Sequence, residues 1–328
     1  MKALSAALLA LVLVACDQVP VSNGAARKVE DARARNDAPA IWRVRDEDST
    51  LYLFGTVHLL PTGLNWQRDD MRDVFAQSGT VFFETDHTGA AGLRAQALAT
   101  QIGLRRDGRR LTETLDNYQS KLLEAVANNG QLDLAALDSM QPWLASEFLT
   151  LSAANAAGLS ADISPDEALK SRAARAGKNV IYFETPEDQV RQIAELPEAV
   201  QLELLTETME RFDEMDDMLA AIARDWAIGD VEALEAALVA PLEGAPDGYV
   251  KAVLLDRNDV WADRLERFMQ GSGTGFVAIG TAHFLGEGSL IDALEARDYD
   301  VARYLAFLGE DVIKPARLEL PDVPSGAE

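Results

Sequence analysis

The sequence predicts an α/β fold: a central mixed sheet that starts with a β-hairpin, is covered by helices and carries a largely helical insertion. Two observations predict it. Short apolar, β-branched or aromatic runs recur along the chain, and most are separated by long stretches rich in Ala, Leu and Glu. Buried strands alternating with helices make a sheet whose faces the helices cover.

The first two runs, Ile41–Val44 and Leu51–Phe54, flank the polar turn Asp46–Ser49, which is a hairpin pattern. Further strand runs are Val81–Phe83, Val180–Phe183, Phe276–Ile279 and Val301–Tyr304. Between Leu93 and Ala176 there is little strand signal, so this stretch reads as the helical insertion. Thr185 followed by Pro186 is a helix start, because Thr caps and Pro fits the first turn. From Glu198 to Ala227 one long helix is expected. Its residues Leu205, Met209, Phe212, Met215, Leu219, Ile222 and Trp226 form one stripe for core packing, and Gly229-Asp230 ends it. Asp247–Phe268 reads as another helix. Gly271–Gly275 is glycine-rich but precedes a strand, so it is a loop and not a phosphate cradle.

Composition narrows the function. The chain has 328 residues, with Lys plus Arg 30 against Asp plus Glu 54, a formal net charge of −24. Such a surface repels phosphate backbones and anionic headgroups, so no nucleic acid partner is expected and membrane attachment cannot be electrostatic. The single cysteine rules out an internal disulfide and a Cys-based zinc site.

That cysteine lies in a processing signal. Lys2 precedes an apolar run to Ala15, a length that suits a signal-peptide core better than a bilayer span. The run ends Leu13-Val14-Ala15-Cys16, which resembles a bacterial lipobox. The expected organisation is a lipoprotein signal peptide over 1–15, lipidation of Cys16, a flexible tether over 16–39, one domain over 40–310 and a loose tail over 311–328. Anchoring by several acyl chains would be stable, at about 0.8 kcal/mol per buried CH₂. It would put the protein in the bacterial cell envelope, facing the periplasm.

Two of the three histidines share one context. His58 closes Leu53-Phe54-Gly55-Thr56-Val57-His58, and His283 closes Ala278-Ile279-Gly280-Thr281-Ala282-His283. In each, an apolar strand runs into Gly-Thr-x-His. Gly permits a sharp or positive-φ turn, and the imidazole then projects over the carboxyl edge of the sheet, where open α/β folds bind ligands. Glu84 ends a third strand after three apolar residues, a costly place for a carboxylate unless it is paired or on a metal. His58, Glu84 and His283 together make a three-ligand metal site with open positions for water or substrate. The donor set suits Zn²⁺, Mn²⁺, Co²⁺ or Fe²⁺. His87 reads as a solvated loop residue, Glu184 as a charge at a helix start, and Arg257 as a solvated helix residue.

These residues resemble the TraB/GumN (Tiki-like) family, whose hallmark is two Gly-x-x-His motifs near opposite ends of the domain and a Glu after the second strand segment. Met140-Gln141-Pro142-Trp143, Tyr182-Phe183-Glu184-Thr185 with Gln189, Trp226 with Gly229-Asp230, and Arg257-Asn258 with Trp261 match as well. Asp256 stands where the family usually has Glu, and Ser160–Asp166 departs from its usual pattern. The resemblance implies a metal-dependent hydrolase, foremost a peptidase acting on a peptide or protein. His58, Glu84 and His283 would hold a Mn, Co or Zn ion, with Glu184, Arg257 and Asn258 in catalytic roles: Arg257 at an oxyanion and Glu184 as a base or supporting carboxylate. Two other readings stay open: a non-catalytic lipoprotein that binds peptide or metal, and an enzyme of envelope polysaccharide.

Overall fold

The computed structural model describes residues 38–246 and 248–304. The signal segment, Cys16, most of the tether and the tail lie outside the described residues. The strands are β1 Ile41–Arg45, β2 Ser49–Thr56, β3 Leu60–Pro61, β4 Thr80–Phe83, β5 Leu159–Ser160, β6 Asn179–Tyr182, β7 Gly273–Gly280 and β8 Asp300–Arg303. The α-helices described are α1 Asp69–Gln77, α2 Gly89–Gly103, α3 Asn117–Asn129, α4 Leu134–Asp138, α5 Pro142–Ala156, α6 Pro165–Ala176, α7 Pro186–Ala194, α8 Glu198–Glu210, α9 Met215–Ile228, α10 Val231–Leu238, α11 Asp256–Met269 and α12 Leu290–Glu295.

Six strands form one mixed sheet in the order β6-β4-β7-β2-β1-β8. The strands β6, β4, β7 and β2 run parallel, and β1 pairs antiparallel with both β2 and β8. The hairpin is as expected, its turn closed by Asp46 Oδ1, which accepts from the N–H groups of Asp48 and Ser49. The central strands are buried on both faces, as parallel strands under helices must be: Leu51, Leu53, Phe54, Val81, Phe83 and Val277 are inaccessible to solvent.

The helical insertion between β4 and β6 is present, with one addition. Within it β5 pairs with β3 as a two-stranded antiparallel ribbon, too short to leave a strand pattern in the sequence. The expected single helix over 198–227 is two helices, α8 and α9, joined by a 3₁₀ turn at Phe212–Glu214. The apolar stripe is nonetheless real. Leu205 and Met209 pack in the insertion's own core, Met215 and Leu219 beside the ribbon, and Ile222 and Trp226 against the main sheet. The bend lets one stripe serve three clusters, which sequence periodicity does not register. Gly229 ends α9 in the left-handed conformation at φ +69°, as expected. The helix expected over 247–268 is a π-helical turn, Lys251–Leu255, leading into α11. Among the described residues no helix is long and apolar enough to cross a membrane.

Candidate functional site

The register of the parallel strands builds the site. Thr56 at the end of β2 lies opposite Gly280 at the end of β7, and Phe83 at the end of β4 lies opposite Ala278. The segments that leave β2, β4 and β7 therefore emerge side by side at one edge of the sheet. His58, Glu84 and His283, remote in sequence, line one cavity there, whose space including its mouth is about 590 Å³.

The two Gly-Thr pairs act through space rather than through unusual backbone. Gly280 has φ −51°, and Gly55 does not have positive φ either. A Cβ on Gly55 would lie 2.7 Å from Thr281 Oγ1, and one on Gly280 would lie 3.0 Å from Glu84 Oε1. Each glycine is thus a place where neighbouring segments come too close for a side chain. Thr281 Oγ1 donates to the Thr56 carbonyl at 2.8 Å and ties the two motifs together.

Glu84 is 7% exposed and held on every side. Its Oε1 accepts from the Gly280 N–H at 2.6 Å, and its Oε2 accepts from Gln189 Nε2 at 3.0 Å and Arg257 Nη2 at 2.9 Å. Burial pushes its pKa up, but the charges of Arg257, His283 and His58 and the Gly280 N–H bond outweigh it and hold the carboxyl well below the usual range.

Arg257, expected to be solvated, is buried at 7% exposure. A guanidinium has five N–H donors, and here each has an acceptor. Nε donates to Glu184 Oε1 at 2.8 Å, Nη1 to the Val253 carbonyl at 2.9 Å and to His283 Nε2 at 3.2 Å, and Nη2 to Glu84 Oε2 and, at 3.0 Å, to Glu184 Oε2. Its face lies over Trp261, 4.6 Å from the ring centroid. Glu184 therefore does more than accompany a helix start: it grips Arg257 bidentately. With no N–H to spare, Arg257 acts in this arrangement as a positioning residue that joins two carboxylates and a histidine.

His283 is 2% exposed, and its tautomer follows from its partners. Arginine can only donate, so Nε2 is the acceptor and Nδ1 carries the proton. Nδ1 donates to Asn258 Oδ1 at 2.7 Å, while Asn258 Nδ2 donates to the Gly288 carbonyl at 2.9 Å. Burial, then the Arg257 charge, lowers the His283 pKa to about 3, so the ring is neutral near pH 7. Trp261 packs 4.4 Å from it, centroid to centroid.

His58 is partly exposed, and its Nδ1 faces Asp166 Oδ2 at 3.6 Å. Burial lowers its pKa, but the hydrogen bond and charge of Asp166, with the charge of Glu84, raise it above the ordinary value. Asp166 is itself fixed by Thr56 Oγ1, which donates to its Oδ1 at 2.9 Å. Sequence reasoning missed Asp166. Asp166 sits in the first turn of α6, and its approach to His58 is made by the fold. His87 is not solvated but partly buried, with Nδ1 enclosed and unpartnered, and burial followed by the Lys170 and His58 charges lowers its pKa to about 4. Its chain folds back on α2 at Gly92, where a Cβ would lie 1.9 Å from the His87 carbonyl oxygen.

The donor chemistry suits a divalent cation. His283 has Nδ1 held by Asn258 Oδ1, as metal-ligating imidazoles have, while its Nε2 accepts from Arg257; His58 Nδ1 faces Asp166 Oδ2 at 3.6 Å; and the ionised Glu84 carboxylate lines the same cavity. The spacing is not closed, however. Among the described residues no group of three or more His, Cys, Asp or Glu side chains is set to hold an ion. The Arg257 guanidinium bridges His283 Nε2 and Glu84, so an ion on that nitrogen must displace one contact of 3.2 Å.

No curated protein and no solved structure matches the chain. The family model described as the TraB/PrgY/gumN family matches residues 40–303, which takes in all six strands of the main sheet and every residue of the cluster. On that match, and with both Gly-Thr-x-His motifs and their carboxylate meeting at one sheet edge, the chain belongs to the TraB/PrgY/gumN family.

Proposed function

We propose that this protein is a metal-dependent hydrolase, foremost a peptidase, in which His58, Glu84 and His283 hold a divalent ion, Mn, Co or Zn. One observation carries the reading: two histidines from opposite ends of the domain, one with its Nδ1 held by Asn258 and the other facing the Asp166 carboxylate, share a cavity with a carboxylate kept ionised. When bound, the ion supplies activation of water and polarisation of an amide carbonyl. The protein's own groups set the stage. Asn258 fixes the His283 ring and Asp166 faces the His58 ring, Gly280 and Gln189 orient Glu84, and Glu184 keeps Arg257 in place against Glu84. The proposal extends to the N-terminus, where acylation at Cys16 would anchor the protein in the bacterial envelope with the domain in the periplasm.

The test is ion binding by calorimetry with Mn²⁺, Co²⁺ and Zn²⁺, on wild type and on His58→Ala and His283→Ala. It is paired with turnover of a peptide library and an oligosaccharide panel. Expected are micromolar or tighter binding by wild type, loss of binding and peptide cleavage in both variants, and unchanged circular dichroism. A wild type that binds none of the three ions removes the metal reading, and cleavage of glycans alone transfers the activity to polysaccharide. One observation favours a second reading, a non-catalytic binding protein: every N–H of Arg257 is already satisfied within the protein. Peptide binding without cleavage in the same assay would establish it.

A further inference from the structure

A second cavity opens beside the first and shares His58 and Glu84 with it. Its space, mouth included, is about 510 Å³. Three elements wall it. Trp143 and Glu147 are four apart on α5 and share a face, Val190 and Ile193 come from α7, and Val253 comes from the π-helical turn. Those apolar residues are all buried.

Glu147 is the anomaly. It lines this pocket beside the buried Trp143, Val190, Ile193 and Val253 and the polar Gln189 and Gln192, and burial pushes its carboxyl well above the usual range with no cation or donor to offset the effect. Glu147 is half-buried in the wall, and a carboxylate partly withdrawn from water without a partner is costly, so proteins keep such groups where a ligand supplies the missing charge. Neither the hydrogen bonds around Glu84 nor the proposed hydrolytic chemistry uses it.

We infer that this cavity is a subsite for a basic side chain of the substrate, with Glu147 receiving the Lys ammonium or Arg guanidinium while Trp143, Val190, Ile193 and Val253 pack its aliphatic stem. The inference rests on the peptidase reading and names its substrate class: peptides with a basic residue beside the cleaved bond. A basic side chain has the two parts the pocket requires, an apolar stem and a cationic head. A Trp ring adds a surface that cations favour. The cation already in the wall, Arg257, does not oppose entry, because it is shared by Glu84 and Glu184, two carboxylates to one guanidinium. A net charge of −24 draws basic peptides toward the protein.

The experiment measures retention and cleavage separately. Pools of acetylated, amidated hexapeptides, randomised except for Lys, Arg, norleucine or Glu fixed at one position, are equilibrated with wild type, Glu147→Gln and Glu147→Asp. Bound peptide is quantified by mass spectrometry after ultrafiltration. Wild type is expected to retain the Lys and Arg pools about tenfold or more over norleucine. Glu147→Gln should lose that preference and Glu147→Asp keep part of it, all three with the same circular dichroism and the same ion binding. Equal retention of Lys and norleucine by wild type, preference surviving in Glu147→Gln, or no retention of any pool overturns the subsite. Cleavage of all pools alike removes the subsite and leaves the hydrolase. Retention of Lys and Arg pools without cleavage, with or without Mn²⁺, Co²⁺ or Zn²⁺, removes the hydrolase and leaves the subsite.

Discussion

Asn258 accepts a hydrogen bond from His283 Nδ1–H through its Oδ1 and donates to the Gly288 carbonyl through its Nδ2. Both amide atoms are thus committed to setting one imidazole. Asn258→Ala removes the acceptor and leaves the ring free to change tautomer, so ion affinity should fall about 10- to 100-fold by calorimetry. His283 also predicts an acid response. The unfolded chain takes up a proton on this residue near its ordinary value of 6.5, whereas the folded chain does so only near 3. Acid therefore favours unfolding across that window, by about 1.4 kcal/mol per pH unit for each proton. His58 has the opposite sign: its pKa is raised, so its contribution is present below 6.5 and lost as pH rises. Urea midpoints at pH 7, 6 and 5 should fall more steeply for wild type than for His283→Gln, by roughly one proton's worth. The histidine pair and Glu84 were legible as residues, because Gly-Thr-x-His occurs twice and a Glu after three apolar residues is conspicuous. Asp166, Glu147 and the burial of Arg257 were not, because one acidic or basic residue on a helix has the same local sequence whether it meets water or another element.

Strand ends and helix starts carry the geometry at the next scale. The helix start was readable from Thr185-Pro186, and the structure makes it a capping box: Thr185 Oγ1 accepts from the Asp188 N–H, and the Asp188 side chain accepts from the Thr185 N–H. It starts α7, which delivers Gln189 to Glu84. The ends of β2 and β7 were readable as sites but not in their means, since their glycines make room and do not turn the chain. Gly280→Ala should push Glu84 off the Gly280 N–H and cost about 1–3 kcal/mol in urea unfolding. Gly55→Ala should cost more, because its Cβ would also lie 3.1 Å from the Thr281 Cα, and backbone cannot swing aside. The division of the 198–227 stretch into two helices was not legible, since the bend serves three separate clusters and the apolar period runs on through it.

For the whole molecule, the proposed acylation at Cys16 would set where it works. Cys16→Ser should move the protein from the membrane to the soluble fraction and abolish acylation, and unchanged membrane fractionation would remove the anchor. By itself the sequence determined the strand runs, the hairpin, the helical insertion and the paired histidine motifs, since these rest on local periodicity and on residue types next to one another in the chain. Only the tertiary structure decided that Glu84 and His283 meet through one arginine, that Asn258 holds the His283 ring and Asp166 comes to face His58, and that Glu147 lines a cavity beside them. These are encounters between segments far apart in the chain, fixed by the register of parallel strands and the packing of helices over them, and no local pattern of residues encodes such a meeting.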